Sequence, residues 1–217
     1  MIGELARRHP ASKIGVVGVS LGGNVLCKLL GERDPDGLPD QLVGAVAMSV
    51  PYDLGQAAGH IGQGFGAVYE RSFLKSLVPK ALGQIDRHLG NAPELAPLRR
   101  VGEAKTLRAF DNAFTAPLHG FADAADYYAR SSALQYLAGI RRPTLLLSAV
   151  DDPFLPAFVL DEVAQAVRGN GSILTEFHPR GGHVGFTAGP WPWRAFYYGE
   201  WRAAEFLASC GLGAVRQ

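Results

Sequence analysis

"GVVGVSLGGN", residues Gly15 to Asn24, decides how the chain is read. The run "IGVVGVS" (Ile14 to Ser20) is apolar, β-branched and ended by glycine, which predicts a short buried strand. "LGGNVLCKLLGE" follows at once and predicts a helix from about Leu21 to Leu30. Between them Gly18-Val19-Ser20-Leu21-Gly22 fits G-x-S-x-G. Alone the pattern is weak; a strand before it and a helix after it give it weight. That turn forces the serine into a strained backbone and lifts its hydroxyl above the sheet. Gly18 and Gly22 are then expected to lack a side chain because one would collide with the neighbouring strand and helix. The backbone N–H of Leu21 and the helix N-terminus would face a developing oxyanion. The alternative is a glycine-rich strand-to-helix turn with no chemistry.

Three further apolar runs lie downstream: "LVGAVAMSV" (Leu42 to Val50), "PTLLLSAV" (Pro143 to Val150) and "SILTEFH" (Ser172 to His178). "AFVLDEVAQAVRG" between the last two predicts an amphipathic helix with Gly169 as its C-cap. Strands apolar throughout and separated by helices imply an α/β fold, a mostly parallel sheet with helices on both faces. From about Leu54 to Gly139 the rhythm breaks into helical patterns: "GAVYERSFLKSLVPKAL", "IDRHLG", "AKTLRAFDNAF" and "ADAADYYARSSALQYL". Pro79, Pro93, Pro97 and Pro117 punctuate them. The expected organisation is a core of residues 1–53 and 140–217, with residues 54–139 as a helical lid or cap insertion; a packing elaboration is the alternative.

A serine hydroxyl needs a base, and in this fold the acid and the histidine follow it in the order Ser, Asp, His. "SAVDDPFLP" places Asp151 and Asp152 on the loop after the third run, the sheet edge where open α/β sheets bind ligands. "RGGHVGF" places His183 in a glycine loop after the fourth. The expected roles are Ser20 as nucleophile, His183 as general base and then acid, and an aspartate orienting the imidazole. Asp152 is favoured because the second acid sits further out, with Pro156 helping to start the next helix; Asp151 would cap or hydrogen-bond the turn. His60, His88 and His119 fall in the helical insertion, His178 ends a strand just before Pro179, and His9 precedes the motif.

Bulk properties narrow the class. Of 217 residues 47% are hydrophobic and 19% charged, enough for a sizeable core. A net charge of +1 gives no reason to expect a nucleic-acid partner. Cys27 and Cys210 have no metal-ligand spacing and make no disulfide framework; Cys27 is expected to pack as a small hydrophobe. "MIGELARRHPASK" lacks the apolar core of a signal peptide, and no uncharged apolar run reaches the ~18 residues of a membrane span. The expected setting is cytoplasmic, without stable membrane insertion.

Five stretches carry a family resemblance: "GVSLGGN", "AVAMSVPYDL", "FDNAFTAPLHGFADAADYY", "DDPFLP" and "GGHVGF". In this order, from about Ile14 to about Phe186, the chain resembles the YheT-like branch of the α/β-hydrolase fold, with the ABHD1/ABHD3-type lipases and the yeast medium-chain ethyl-ester synthases among its relatives. The resemblance implies a serine esterase without metal or cofactor, acting on acyl esters, medium-chain esters included. Ser20, Asp152 and His183 fall on the triad positions. Some relatives transfer the acyl group to an alcohol instead of water. Tyr127 and Tyr128 would be lid or pocket wall, or ordinary helix packing.

The chain departs from that pattern at its front. Residues 1–13 hold one short helical pattern, "GELARRH", where the fold has several strands and the loop giving the second oxyanion N–H. The expectation is a C-terminal piece of a longer hydrolase whose bare sheet edge invites self-association. A non-catalytic fragment is the alternative class. "GPWPWRAFYYGEW" (Gly189 to Trp201) places Trp193, Tyr197 and Trp201 at i, i+4, i+8, expected as one face of a last helix packing on the sheet, or touching the acyl site or a membrane surface.

Overall fold

In the computed structural model, which describes residues 1–33, 37–88, 93–189 and 195–213, the four apolar runs form one parallel sheet. Its strands are β1 (Ile14–Val19), β2 (Leu42–Met48), β3 (Thr144–Ala149) and β4 (Ile173–His178), side by side in that order. β3 is buried at every position and β2 at all but one, whereas β1 and β4 are mixed. That is why the central runs read as unbroken hydrophobe. The chain divides into two compact units: Met1–Asp53 with Ser132–Gln217, and Leu54–Ser131.

In the first unit, successive strand residues feed opposite faces. Ala45, Ala47 and Leu146 meet Leu26, Cys27 and Leu30 of α2 (Leu21–Arg33) and Val159, Leu160 and Val163 of α8 (Phe158–Ala166). Val46, Met48, Leu145 and Leu147 meet Ala203, Phe206 and Leu207 of α9 (Tyr198–Leu207). Each fully buried leucine contributes roughly 1.5–3 kcal/mol, so both covering layers are held chiefly by apolar burial. Polar ties fix their position. Asn24 of α2 is buried, and its Oδ1 accepts from the Ala133 N–H at 2.8 Å. Arg202 of α9 grips Glu176 of β4, with Nε and Nη2 donating to Oε1 at 2.9 and 2.6 Å. A short α1 (Ile2–Arg8) precedes β1. Cys27 is fully buried and packs as a small hydrophobe, and that burial pushes its thiol up to about 12.

The second unit is helical: α3 (Leu54–Ile61), α4 (Gly66–His88), a 3-10 stretch (Pro93–Glu103), α5 (Leu107–Phe110), a π turn (Asp111–Thr115), α6 (Ala116–Leu118) and α7 (Ala124–Ser131). Two expectations fail here. "GAVYERSFLKSLVPKAL" and "IDRH", expected as separate patterns, form the single α4, with Pro79 inside it. Leu74, Ala81 and Ile85 of that helix bury their stripe against Leu98, Val101, Phe110 and Phe114, and this packing overrides the proline. "ADAADYYARSSALQYL" breaks at Ser132, whose extended backbone separates α7 from a 3-10 stretch (Ala133–Gly139).

The "FDNAFTAP" stretch does structural work within this unit. The Asp111 carboxylate accepts from Thr115 Oγ1 and Tyr128 Oη, both at 2.7 Å, and Asn112 Oδ1 accepts from the Ala124 N–H at 2.9 Å. Burial raises the Asp111 carboxyl and, with the neighbouring Asp111 charge, the Tyr128 phenol. Tyr128 is thus a buried packing residue, and Tyr127 stacks beside it with ring centroids 5.4 Å apart.

The C-terminal aromatic stretch also departs from its expected single helical face. Tyr197 belongs to a two-residue strand, β6 (Phe196–Tyr197), paired antiparallel with β5 (Thr187–Ala188). The helix begins only at Tyr198, and Trp193 lies outside the described residues. Trp201 packs on Phe196 and Tyr198. Among the described residues no helix is long and apolar enough to cross a membrane.

Candidate active site

Parallel strands deliver their following loops to one rim, and here the rim is tied together. The Ser20 N–H donates to the Met48 carbonyl, the Ser49 N–H to Leu147 and the Val150 N–H to His178, each at 2.8 Å. The residue after each strand is thereby bonded to the neighbouring strand, so three loops start from a common, rigid edge.

Ser20 stands between β1 and α2 at φ +53°, a left-handed conformation that few non-glycine residues adopt. Gly18 makes the turn possible. A Cβ there would lie 2.6 Å from the Gly22 carbonyl oxygen and 2.8 Å from the Gly23 Cα, both immovable backbone. Gly22 does not have the expected role: open space surrounds the position of its absent Cβ. The tight position is Gly23, where a Cβ would strike Val50 at 2.5 Å. The helix starts directly at Leu21, whose N–H is the first amide of α2.

His183 lies in the loop after β4. Its Nε2 is 2.9 Å from Ser20 Oγ, and its Nδ1 is 2.7 Å from Asp152 Oδ2. The Asp152 side chain is 1% exposed and that of His183 13%. An ionised carboxylate only accepts, so Nδ1 carries the proton and Nε2 is left to accept from the serine hydroxyl. The second carboxylate oxygen of Asp152 accepts from the Phe154 N–H at 2.9 Å. The Phe154 ring lies against the imidazole, centroids 4.6 Å apart. Phe154 was not singled out in the sequence; its place two residues after an acid that hydrogen-bonds its own loop is the signal that marks it.

Of the two adjacent acids, Asp152 meets the imidazole. Asp151 turns to the histidine loop, and its Oδ1 accepts from the N–H groups of Gly181 and Gly182 at 2.8 and 2.9 Å. His178 packs edge-on between the rings of Phe186 and Tyr198. His60, His88 and His119 belong to the helical unit.

A buried carboxylate, an imidazole and an alcohol in series can pass a proton from the alcohol while the resulting imidazolium is stabilised. Comparison with known proteins gives the family. The family model described as the alpha/beta hydrolase fold matches residues 1–190. YheT of Escherichia coli, which its name assigns to the esterases, is 38% identical over 186 residues, 85% of this chain and 52% of its own. A monoacylglycerol lipase of Saccharomyces cerevisiae is 29% identical over 190 residues, 85% of this chain and 40% of its own. The chain thus spans about half the length of the curated relatives it matches. Among solved structures, the Pyrococcus furiosus esterase Pf2001 superposes with a TM-score of 0.51 at 18% identity, covering 96% of this chain and 59% of that one. The Pyrococcus horikoshii acylaminoacyl peptidase does so with 0.52 at 15%, covering 100% and 27%. At such identities these two speak for the fold alone.

Proposed function

The chain belongs to the α/β-hydrolase fold family, and from that membership we propose that it is a serine carboxylic-ester hydrolase working through an acyl-enzyme. The observation that carries this reading is the His183 ring bridging Ser20 Oγ and Asp152. In the first half-reaction the Ser20 hydroxyl gives its proton to His183 Nε2 as Oγ attacks the ester carbonyl carbon. The oxyanion faces the Leu21 N–H at the start of α2. Collapse breaks the bond to the alcohol oxygen, which takes the proton from Nε2 and leaves. In the second, His183 draws a proton from water as its oxygen attacks the acyl-serine. The carboxylic acid departs and the proton returns to Oγ.

The relatives' names, an esterase and a monoacylglycerol lipase, support an acyl-ester substrate; medium-chain esters are the proposed class within it. An alcohol entering in place of water would turn the same intermediate to acyl transfer. The test is a fluorophosphonate probe. Wild type should be labelled and Ser20→Ala should not; a folded wild-type sample that takes no label overturns the reading. A p-nitrophenyl ester series of rising chain length then reports the acyl preference.

A further inference from the structure

The reacting imidazole belongs to a glycine turn whose far end is anchored by buried Phe186, its carbonyl accepting from the Tyr198 N–H at 2.9 Å. Gly181 and Gly182 precede His183, with Gly182 at φ +62°, and the turn closes through the Phe186 N–H donating to the Gly181 carbonyl at 3.0 Å. Val184, next in the chain, is 56% exposed. Two consecutive backbone N–H groups of this turn converge on one carboxylate oxygen, Asp151 Oδ1. The neighbouring residue, Asp152, holds the ring itself through Nδ1. One short segment therefore grips the histidine twice, once by its side chain and once by the backbone that carries it.

Resting on the esterase reading, we propose that Asp151 is a positioning residue: by accepting from the Gly181 and Gly182 amides it sets the loop so that His183 reaches both Asp152 and Ser20. Asp151 Oδ1 bonds to the backbone of the loop, not to Ser20 or the His183 ring. Its need is for an acceptor oxygen at that point, not for a negative charge. A side-chain amide of the same shape retains that oxygen; a methyl group does not. Without the clamp the two glycine amides turn to water and the imidazole samples positions away from Oγ. Misplacement by about 1 Å costs on the order of 100-fold in rate.

The full chain carrying Asp151→Ala or Asp151→Asn tests this. Asp151→Ala should lower kcat on a p-nitrophenyl ester by roughly 10- to 100-fold with KM unchanged, and slow fluorophosphonate labelling in proportion. Asp151→Asn should stay within about threefold of wild type, because its carbonyl oxygen still accepts. A second readout needs no turnover. The low-field proton resonance of the His183 Nδ1–H, assigned by its loss in His183→Ala, should broaden away in Asp151→Ala and persist in Asp151→Asn. Wild-type kcat and an undiminished resonance in Asp151→Ala overturn the proposal. So does an Asp151→Asn as impaired as the alanine variant, which would assign the effect to charge. Ser20→Ala separates the two claims: labelling and turnover that survive it refute the esterase reading, whatever the Asp151 variants do. A wild-type sample without the resonance removes the paired imidazole, and the proposal with it.

Discussion

Two glycines four residues apart illustrate how far a motif and its physics can diverge. G-x-S-x-G treats Gly18 and Gly22 alike, yet only Gly18 is hemmed in by backbone, while Gly22 faces open space. Gly18→Ala should therefore destabilise by about 1–3 kcal/mol through overpacking, with Ser20 displaced and probe labelling lost. Gly22→Ala should be neutral or stabilising by up to ~1 kcal/mol, since it replaces a glycine inside α2 with a better helix former. Urea-unfolding midpoints of the two variants, side by side, check the contrast; equal losses would contradict it. Ser20, Asp152 and His183 were legible because each follows an apolar run and so had to emerge at one rim of a parallel sheet. The choice between Asp151 and Asp152 was not decided by composition. It depends on which way two adjacent carboxylates turn, and that follows from the loop backbone.

At the scale of elements, β2 and β3 could be read because central parallel strands covered on both faces leave little room for polar residues, whereas the edge strands β1 and β4 are only partly buried. β3 is the extreme case, with six buried positions in a row. The helical unit was harder. Two helical patterns that looked separate are one α4, which runs through Pro79 because its stripe of Leu74, Ala81 and Ile85 is buried on the helices that follow. Tyr197 looked helical by spacing and is in a strand, because pairing with β5 decides two residues that local periodicity cannot. The seating of α9 on the sheet adds a polar term to its apolar one. Arg202 and Glu176 are 16% and 20% exposed and joined through a guanidinium fork. Arg202→Met keeps the apolar stem and strands the carboxylate, and should cost about 1–3 kcal/mol. Arg202→Lys, with charge but no fork, should fall between. Chemical denaturation followed by circular dichroism measures both, and a lysine variant no better than methionine would argue against the forked geometry.

Over the whole molecule, the rim where β1, β2 and β3 end supplies two kinds of anchorage. The Ser20 amide is bonded to the Met48 carbonyl, so the backbone carrying the alcohol is fixed to the sheet. His183 sits on a glycine turn outside the ladder, held by two carboxylates, the Phe154 ring and the anchor at Phe186. Loops with few buried contacts open at a fraction of the free energy that unfolds a core. Gentle warming should consequently silence the protein before it melts: labelling of Ser20 fades, and returns on cooling, at temperatures where far-ultraviolet ellipticity is still that of the native state. Coincidence of the two curves would mean that the histidine turn and the sheet yield together.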